Sequence, residues 1–137
     1  MINHEIFKTV FEHKKYKKEI KNLLKTQLPD YLKSLAKSEY TYRLCGYIPN
    51  FNDGEVCEFV LLEPEFKFKN EKILSDEEDR EFFDSYYIKN KENIRIVEKI
   101  ENQIEKLPKE FFTIVYGNNF QLEISVDKIK KSYCEHD

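Results

Sequence analysis

Over residues 4–27, apolar side chains recur every three or four positions. Ile6, Phe7, Val10 and Phe11 form one patch, which Tyr16, Ile20, Leu23 and Leu24 continue. That spacing predicts a helix, with a bend or change of face at His13-Lys14-Lys15. Pro29 suits the first turn of a second, short helix, with Tyr31, Leu32 and Leu35 on one side and an end near Ser38. From Tyr40 the period drops to two: Tyr40, Tyr42 and Leu44 alternate with Thr41, Arg43 and Cys45, as in a half-buried strand. Pro49 and Asn52-Asp53-Gly54 break the alternation, which Cys57, Phe59 and Leu61 then resume. Asn and Asp before Gly between two such runs signal a hairpin, with Gly54 at positive φ. Phe66 and Phe68 extend the return arm, giving one long strand over 56–69 with Pro64 at an edge or bulge, because proline cannot donate to the ladder.

Counted straight through, that strand puts Phe59 and Leu61 on one face and Val60, Leu62, Phe66 and Phe68 on the other. Two apolar faces need cover. Either the aromatic segment 82–88 folds back over the sheet or a second copy does, so monomer and homodimer both stay open.

Residues 70–92 have the weakest period. Ser75 to Glu81 is a charge run with no apolar face of its own, which predicts a mobile surface loop. Phe82, Phe83, Tyr86, Tyr87 and Ile88 follow and should re-anchor the chain. Ile94, Val97, Ile100, Ile104 and Leu107 then mark a helix over 91–107. Pro108 opens an element ending at Gly117. A helix is favoured, with Phe111, Phe112, Val115 and Tyr116 on one face and Gly117-Asn118 as a left-handed cap; a strand over 112–116 is the alternative. In the last segment Leu122, Ile124 and Val126 alternate with Glu123 and Ser125, Asp127-Lys128 forms the turn, and Ile129, Lys131 and Tyr133 return. The fold class is α+β: N-terminal helices and a central helix packed on an antiparallel sheet of about four strands built from two hairpins.

At 137 residues the chain fits one domain. Its regions are a helical part (1–39), the first hairpin (40–69), an acidic and aromatic loop (70–92), helices (91–117), and the second hairpin with its tail (118–137). The net charge of −3 hides a split: residues 1–39 hold nine Lys against five acids, and 40–137 hold 14 Lys and Arg against 21 acids. Three cysteines, Cys45, Cys57 and Cys134, make neither a disulfide framework nor a zinc pattern. With no apolar leader and no long apolar run, a soluble protein of the cytoplasm is expected.

Two blocks carry a resemblance. Between Arg43 and Phe59, Tyr47, Pro49, Phe51, Asn52, Asp53, Gly54 and Cys57 spell Tyr-x-Pro-x-Phe-Asn-Asp-Gly-x-x-Cys; between Tyr116 and Asp137, Gly117, Val126, Glu135, His136 and Asp137 lead to an acidic His-Asp ending. In both blocks the chain resembles a family of small, uncharacterised bacteriophage proteins. That family usually has Trp, Gln and an aromatic residue where Leu44, Gly46 and Asn50 stand here, so a pocket lined by those positions is altered. The resemblance implies phage origin, hence a host cytoplasm, and a shared fold. It implies no activity.

Candidate chemistry is sparse. The chain has no glycine-rich phosphate loop and no nucleophile elbow. Glu135-His136-Asp137 lies at a chain end, where geometry is rarely held, and His4 and His13 do not share a helix face. No enzyme, metal or cofactor is expected. Instead, Asp76, Glu77, Glu78 and Asp79 beside Phe82, Phe83, Tyr86 and Tyr87 form a candidate partner-binding surface, aromatic anchors in a charged rim. They point to a non-enzymatic phage accessory protein that binds and inhibits a host protein, itself a component of antiviral defence. A second reading, a sponge for a small anionic nucleotide messenger, would use Tyr42, Arg43, Tyr47, Phe51, Asn52 and Asp53. A third, nucleic-acid binding, rests on Lys14-Lys15-Tyr16-Lys17-Lys18 with Lys21 and Lys25.

Overall fold

The computed structural model describes residues 17–49, 57–74 and 80–135. The expected turn at Asn52-Asp53-Gly54, the helix before Lys17, the acidic residues 76–79 and the His136-Asp137 ending lie outside them.

Helix α1 (Lys17–Ser34) buries Ile20, Leu24, Leu28 and Leu32 at intervals of four. The predicted break at Pro29 is absent; the proline sits inside a single helix. An interior proline costs about 3 kcal/mol. A fully buried leucine stabilises by roughly 1.5–3 kcal/mol, and a break at Pro29 would swing Leu32 off the stripe that Leu24 and Leu28 define. Continuity of that stripe wins. The helix also stops short of Ser38. Leu35 and Ala36 turn their N–H groups back to the Leu32 and Lys33 carbonyls, and the hydroxyls of Tyr42 and Tyr40 donate to the carbonyls of Leu32 and Leu35. Terminal carbonyls that an extended helix would have satisfied are met from the first strand instead.

Among the described residues the sheet is antiparallel and five-stranded: β1 (Tyr40–Tyr47), β2 (Val60–Leu61), β3 (Glu65–Phe68), β4 (Phe120–Ile124) and β5 (Ile129–Ser132), in the order β2-β1-β4-β5, with β3 also paired to β1. The expected single strand over 56–69 is two strands on the same side of β1. Gly46 faces Leu61 and Arg43 faces Glu65, so four steps on the return arm run against three on β1. The extra residue is a bulge at Leu62-Glu63-Pro64, where proline removes a donor. It overturns the expected division of faces. A one-residue shift moves every later side chain to the other face. Phe66 and Phe68 therefore join Phe59 and Leu61 on the core side, opposite Tyr42 and Tyr40.

The second hairpin turns earlier than the alternation predicts. Ile124 pairs with Ile129; Ser125 donates its N–H to the Lys128 carbonyl at 2.9 Å, and its hydroxyl bonds both the carbonyl and the N–H of Lys128. Val126 thus lies in the turn, and Val126 and Tyr133 are exposed rather than on the core side.

Helix α2 (Lys91–Glu105) starts at Asn90, whose side chain accepts the N–H groups of Glu92 and Asn93. Residues 109–116 are helical: α3 (Lys109–Tyr116) buries Phe111 and Phe112 and ends at Gly117. Gly117 has φ 89° and ψ −168°, so the cap is not left-handed helical. It occupies an extended, positive-φ region that is essentially reserved for glycine.

Helices α1, α2 and α3 feed one core with Tyr40, Tyr42 and Leu44 of β1 and with Phe120, Leu122 and Ile124 of β4. The other face of the sheet carries Arg43 and Cys45 on β1, Glu65 and Lys67 on β3, and Gln121 and Glu123 on β4, at facing register positions. One layer of helices therefore covers an apolar face, and the back face is polar.

Candidate functional site

The segment after β3 and the segment entering α2 run side by side and enclose a groove of about 710 Å³. One wall is Asn70 to Leu74, the other Tyr86 to Asn90. Glu71 ties the walls together. Its Oε2 accepts the N–H of Lys89 at 2.7 Å and of Asn90 at 3.4 Å, and its Oε1 accepts Asn93 Nδ2 at 2.9 Å. Asn93 also donates to Asn70 Oδ1 at 2.9 Å, and it is the one buried polar residue among the described residues. Burial opposes ionisation of the Glu71 carboxyl. The hydrogen bonds from Asn93, Lys89 and Asn90, with the charge of Lys89, outweigh that and hold it below the ordinary carboxylate range. A carboxylate placed before the first turn of α2 also complements the helix dipole.

On this braced groove two large apolar side chains stand out. Leu74 is 88% exposed and Tyr86 is 78% exposed. Tyr86 is held by an edge contact with Tyr87 (5.3 Å between ring centroids) and by Lys89, whose ammonium lies 5.7 Å from its ring. Asp84 sets its backbone, accepting the Tyr86 N–H at the start of a 3-10 turn over Ser85–Tyr87.

Arg80 is the first described residue after the acidic run. Its guanidinium lies over the rings of Phe83 (4.8 Å) and Tyr87 (4.7 Å), reaches Glu65 Oε2 at 3.7 Å, and donates from Nε to the Phe82 carbonyl. Stacking of this kind is worth about 0.5–2 kcal/mol according to its desolvation. Phe83 exchanges backbone hydrogen bonds with Phe66, one residue of edge pairing. That pairing directs Phe83 into the core and Phe82 onto the back face, over Arg43 at 4.6 Å.

The proposed partner surface thus divides. Phe82 and Phe83 are buried and anchor the segment; Tyr86 is presented to solvent and Tyr87 is half-buried beneath it. Leu74 was missed from the sequence because a lone Ile73-Leu74 pair carries no period. Its position directly before the acidic run was the available signal.

Of the residues named for a nucleotide, Tyr42 and Arg43 lie on opposite faces of β1. Tyr42 is fully buried on the core side, its hydroxyl bound to the Leu32 carbonyl. Arg43 is the next residue on a strand and faces the opposite way, with Glu65 Oε1 at 2.7 Å. Tyr47 is half-buried at the end of β1, and Phe51, Asn52 and Asp53 lie outside the described residues. A second cleft, of about 610 Å³, lies between the bulge and α2, with Leu61 and Ile104 beside Glu63, Glu98, Glu101 and Glu105. Burial pushes the Glu101 carboxyl up, aided by the charges of Glu63, Glu105, Glu98 and Asp84. Such a cleft repels phosphate. On α1, Lys18, Lys21 and Lys25 are exposed, beside the buried stripe; Lys14, Lys15 and Tyr16 lie outside the described residues.

Among the described residues there is no group of three or more His, Cys, Asp and Glu side chains able to hold a metal ion, and no helix long and apolar enough to cross a membrane. Compared with protein-family models, with curated proteins and with solved structures, the chain matches none.

Proposed function

We propose that this protein is a non-catalytic accessory protein of bacteriophage origin that binds and inhibits a host protein in the host cytoplasm, using the groove at Leu74 and Tyr86 and the acidic run that begins beside it. One observation carries the reading: two large apolar side chains stand exposed on a groove whose walls are cross-linked by Glu71. Preorganised aromatic and aliphatic anchors are what compact interfaces use for affinity. Asp76, Glu77, Glu78 and Asp79 supply negative charge next to them in the chain, which favours a partner with a basic surface. A protein that ordinarily grips nucleic acid has such a surface, and occupying it is inhibition without chemistry.

The phage origin rests on the sequence resemblance. The Gln usual to that family is Gly46 here, and a Cβ at Gly46 would lie 2.5 Å from the Phe59 ring and 2.6 Å from the Phe120 ring. In this chain those rings fill the room that the longer side chain would need.

The test is affinity capture from host lysate with wild-type bait and with Tyr86→Ala and Leu74→Asp baits. Both positions are exposed, so the variants should fold. The expected result is a host protein retained by wild type and reduced at least tenfold by either change. Capture of no host protein above background, or equal capture by all three baits, would refute the proposal.

A further inference from the structure

The cleft of about 610 Å³ is built where the bulge of the sheet meets α2. Buried Ile104 and Leu107 and half-buried Leu61 give it an apolar lining. The bulge adds Leu62, which is 41% exposed. A bulge re-aims side chains out of the regular ladder, and Leu62 packs against no part of the core. Four carboxylates stand around this lining. Glu98, Glu101 and Glu105 follow one another at spacings of three and four along one side of α2, and Glu63 comes from the bulge. Among the described residues Lys109 is the one cation in the lining. The ion pairs among those residues are Lys33–Asp30, Arg43–Glu65, Lys67–Glu81 and Arg80–Glu65, so no cation neutralises the four glutamates of the cleft. Apolar surface and unpaired negative charge thus share one concavity.

We propose that this cleft docks a basic segment of a protein partner, with an apolar side chain seated on the lining and flanking arginines or lysines paired with the glutamates. Charge complementarity decides the occupant. A wholly apolar segment would strip water from the carboxylates without pairing them, and an acidic segment or a nucleic acid would add repulsion. Arginine suits both parts of the cleft: its methylene stem lies along apolar surface, and its guanidinium pairs with carboxylates through two parallel hydrogen bonds. Exposed ion pairs alone contribute little; the apolar lining is what turns a charged rim into a seat. Burial, then the charges of Glu63, Glu105, Glu98 and Asp84, raises the Glu101 carboxyl, and a cation placed among them relieves that repulsion. The cleft shares no lining residue with the groove at Leu74 and Tyr86. This inference is therefore independent of the function proposed above, and either can fail alone.

The experiment uses the full chain and a fluorescently labelled peptide, Gly-Ser-Arg-Leu-Arg-Ser-Gly, with a counterpart in which citrulline, the uncharged isostere, replaces both arginines. Anisotropy at low salt gives the affinity, and methyl NMR shifts give the place. The expected result is saturable binding of the arginine peptide, with shifts at Leu61, Leu62, Ile104 and Leu107. Affinity should fall about tenfold with the citrulline peptide, and about tenfold with a Glu98→Gln/Glu101→Gln chain. That change removes two like charges without a cation partner, so the variant should fold. A Glu81→Gln/Asp127→Asn chain has the same net charge, altered at exposed positions outside the cleft, and should bind as wild type does. No saturable binding of the arginine peptide, equal binding of the two peptides, or equal affinity of the two variant chains would each overturn the proposal. So would a dimer of the chain alone that Glu98→Gln/Glu101→Gln dissociates, because the cleft would then belong to a second copy.

Discussion

Replacing Gly46 with alanine tests how tightly the sheet packs where β1, β2 and β4 meet. An ideal Cβ at Gly46 would lie 2.5 Å from Phe59 Cζ, 2.6 Å from Phe120 Cζ and 2.9 Å from Phe120 Cε2. Ordinary carbon contacts begin about 1 Å farther out, so both rings must move. Phe120 is fully buried and also stacks against Phe112 at 6.3 Å, which leaves it little room. Phe59 is only half-buried and can swing outward, losing its 5.8 Å contact with Phe120. Overpacking of a filled core costs about 1–3 kcal/mol. Removing a glycine from a strand returns roughly 0.5–1 kcal/mol of chain entropy. The net expectation is a loss of about 1–2 kcal/mol, or a melting temperature lower by roughly 4–8 °C for a chain of this size. Thermal and urea unfolding followed by circular dichroism would measure it, with Phe59→Ala and the double variant completing a cycle. Gly46→Ala should cost less in the Phe59→Ala background, but not nothing, because Phe120 remains. Unchanged stability, or an equal cost in both backgrounds, would refute the packing argument.

Tyr42→Phe leaves the ring in place and removes the donor that meets the Leu32 carbonyl; the expected loss in urea unfolding is about 1–2 kcal/mol, and no loss would mean that the carbonyl finds another partner. Glu71→Gln should destabilise by about 1–2 kcal/mol at neutral pH, charged hydrogen bonds being the stronger kind, discounted for partial exposure. Because the folded carboxyl lies below its ordinary value of 4.5, its contribution is fully present above that value and is lost as pH falls through the folded one. Wild type and Glu71→Gln should therefore converge in stability in acid, and a difference that grows in acid would contradict the bonding assigned here. Gly117→Ala meets no atom within 4 Å, so its cost, about 1–3 kcal/mol, comes from the backbone conformation alone; an unaltered melting temperature would mean that the α3–β4 junction relaxes to another geometry.

What the sequence determined by itself is what depends on neighbours in the chain. The alternation from Tyr40 to Tyr47 decided which face of β1 is buried, and the stripe Val97, Ile100, Ile104 decided the face of α2, because a strand and a helix each repeat by fixed local geometry. Gly117, directly after Phe111, Phe112, Val115 and Tyr116, decided where α3 ends. Tertiary structure settled the rest. Pro29 reads locally as a helix start, yet the stripe from Ile20 to Leu32 is buried on one continuous surface, and that burial overrides the proline. The bulge before β3 has no signature beyond Pro64; only pairing with β1 fixes the register, and that register sends Phe66 and Phe68 inward. The groove was legible as an aromatic group beside an acidic run, but not which rings it displays. Phe82, Phe83 and Tyr86 are alike in composition and differ only in what packs on them: Arg43, the core, and solvent. Strand order is invisible in the chain for the same reason: that β4 lies between β1 and β5 is a property of the whole sheet.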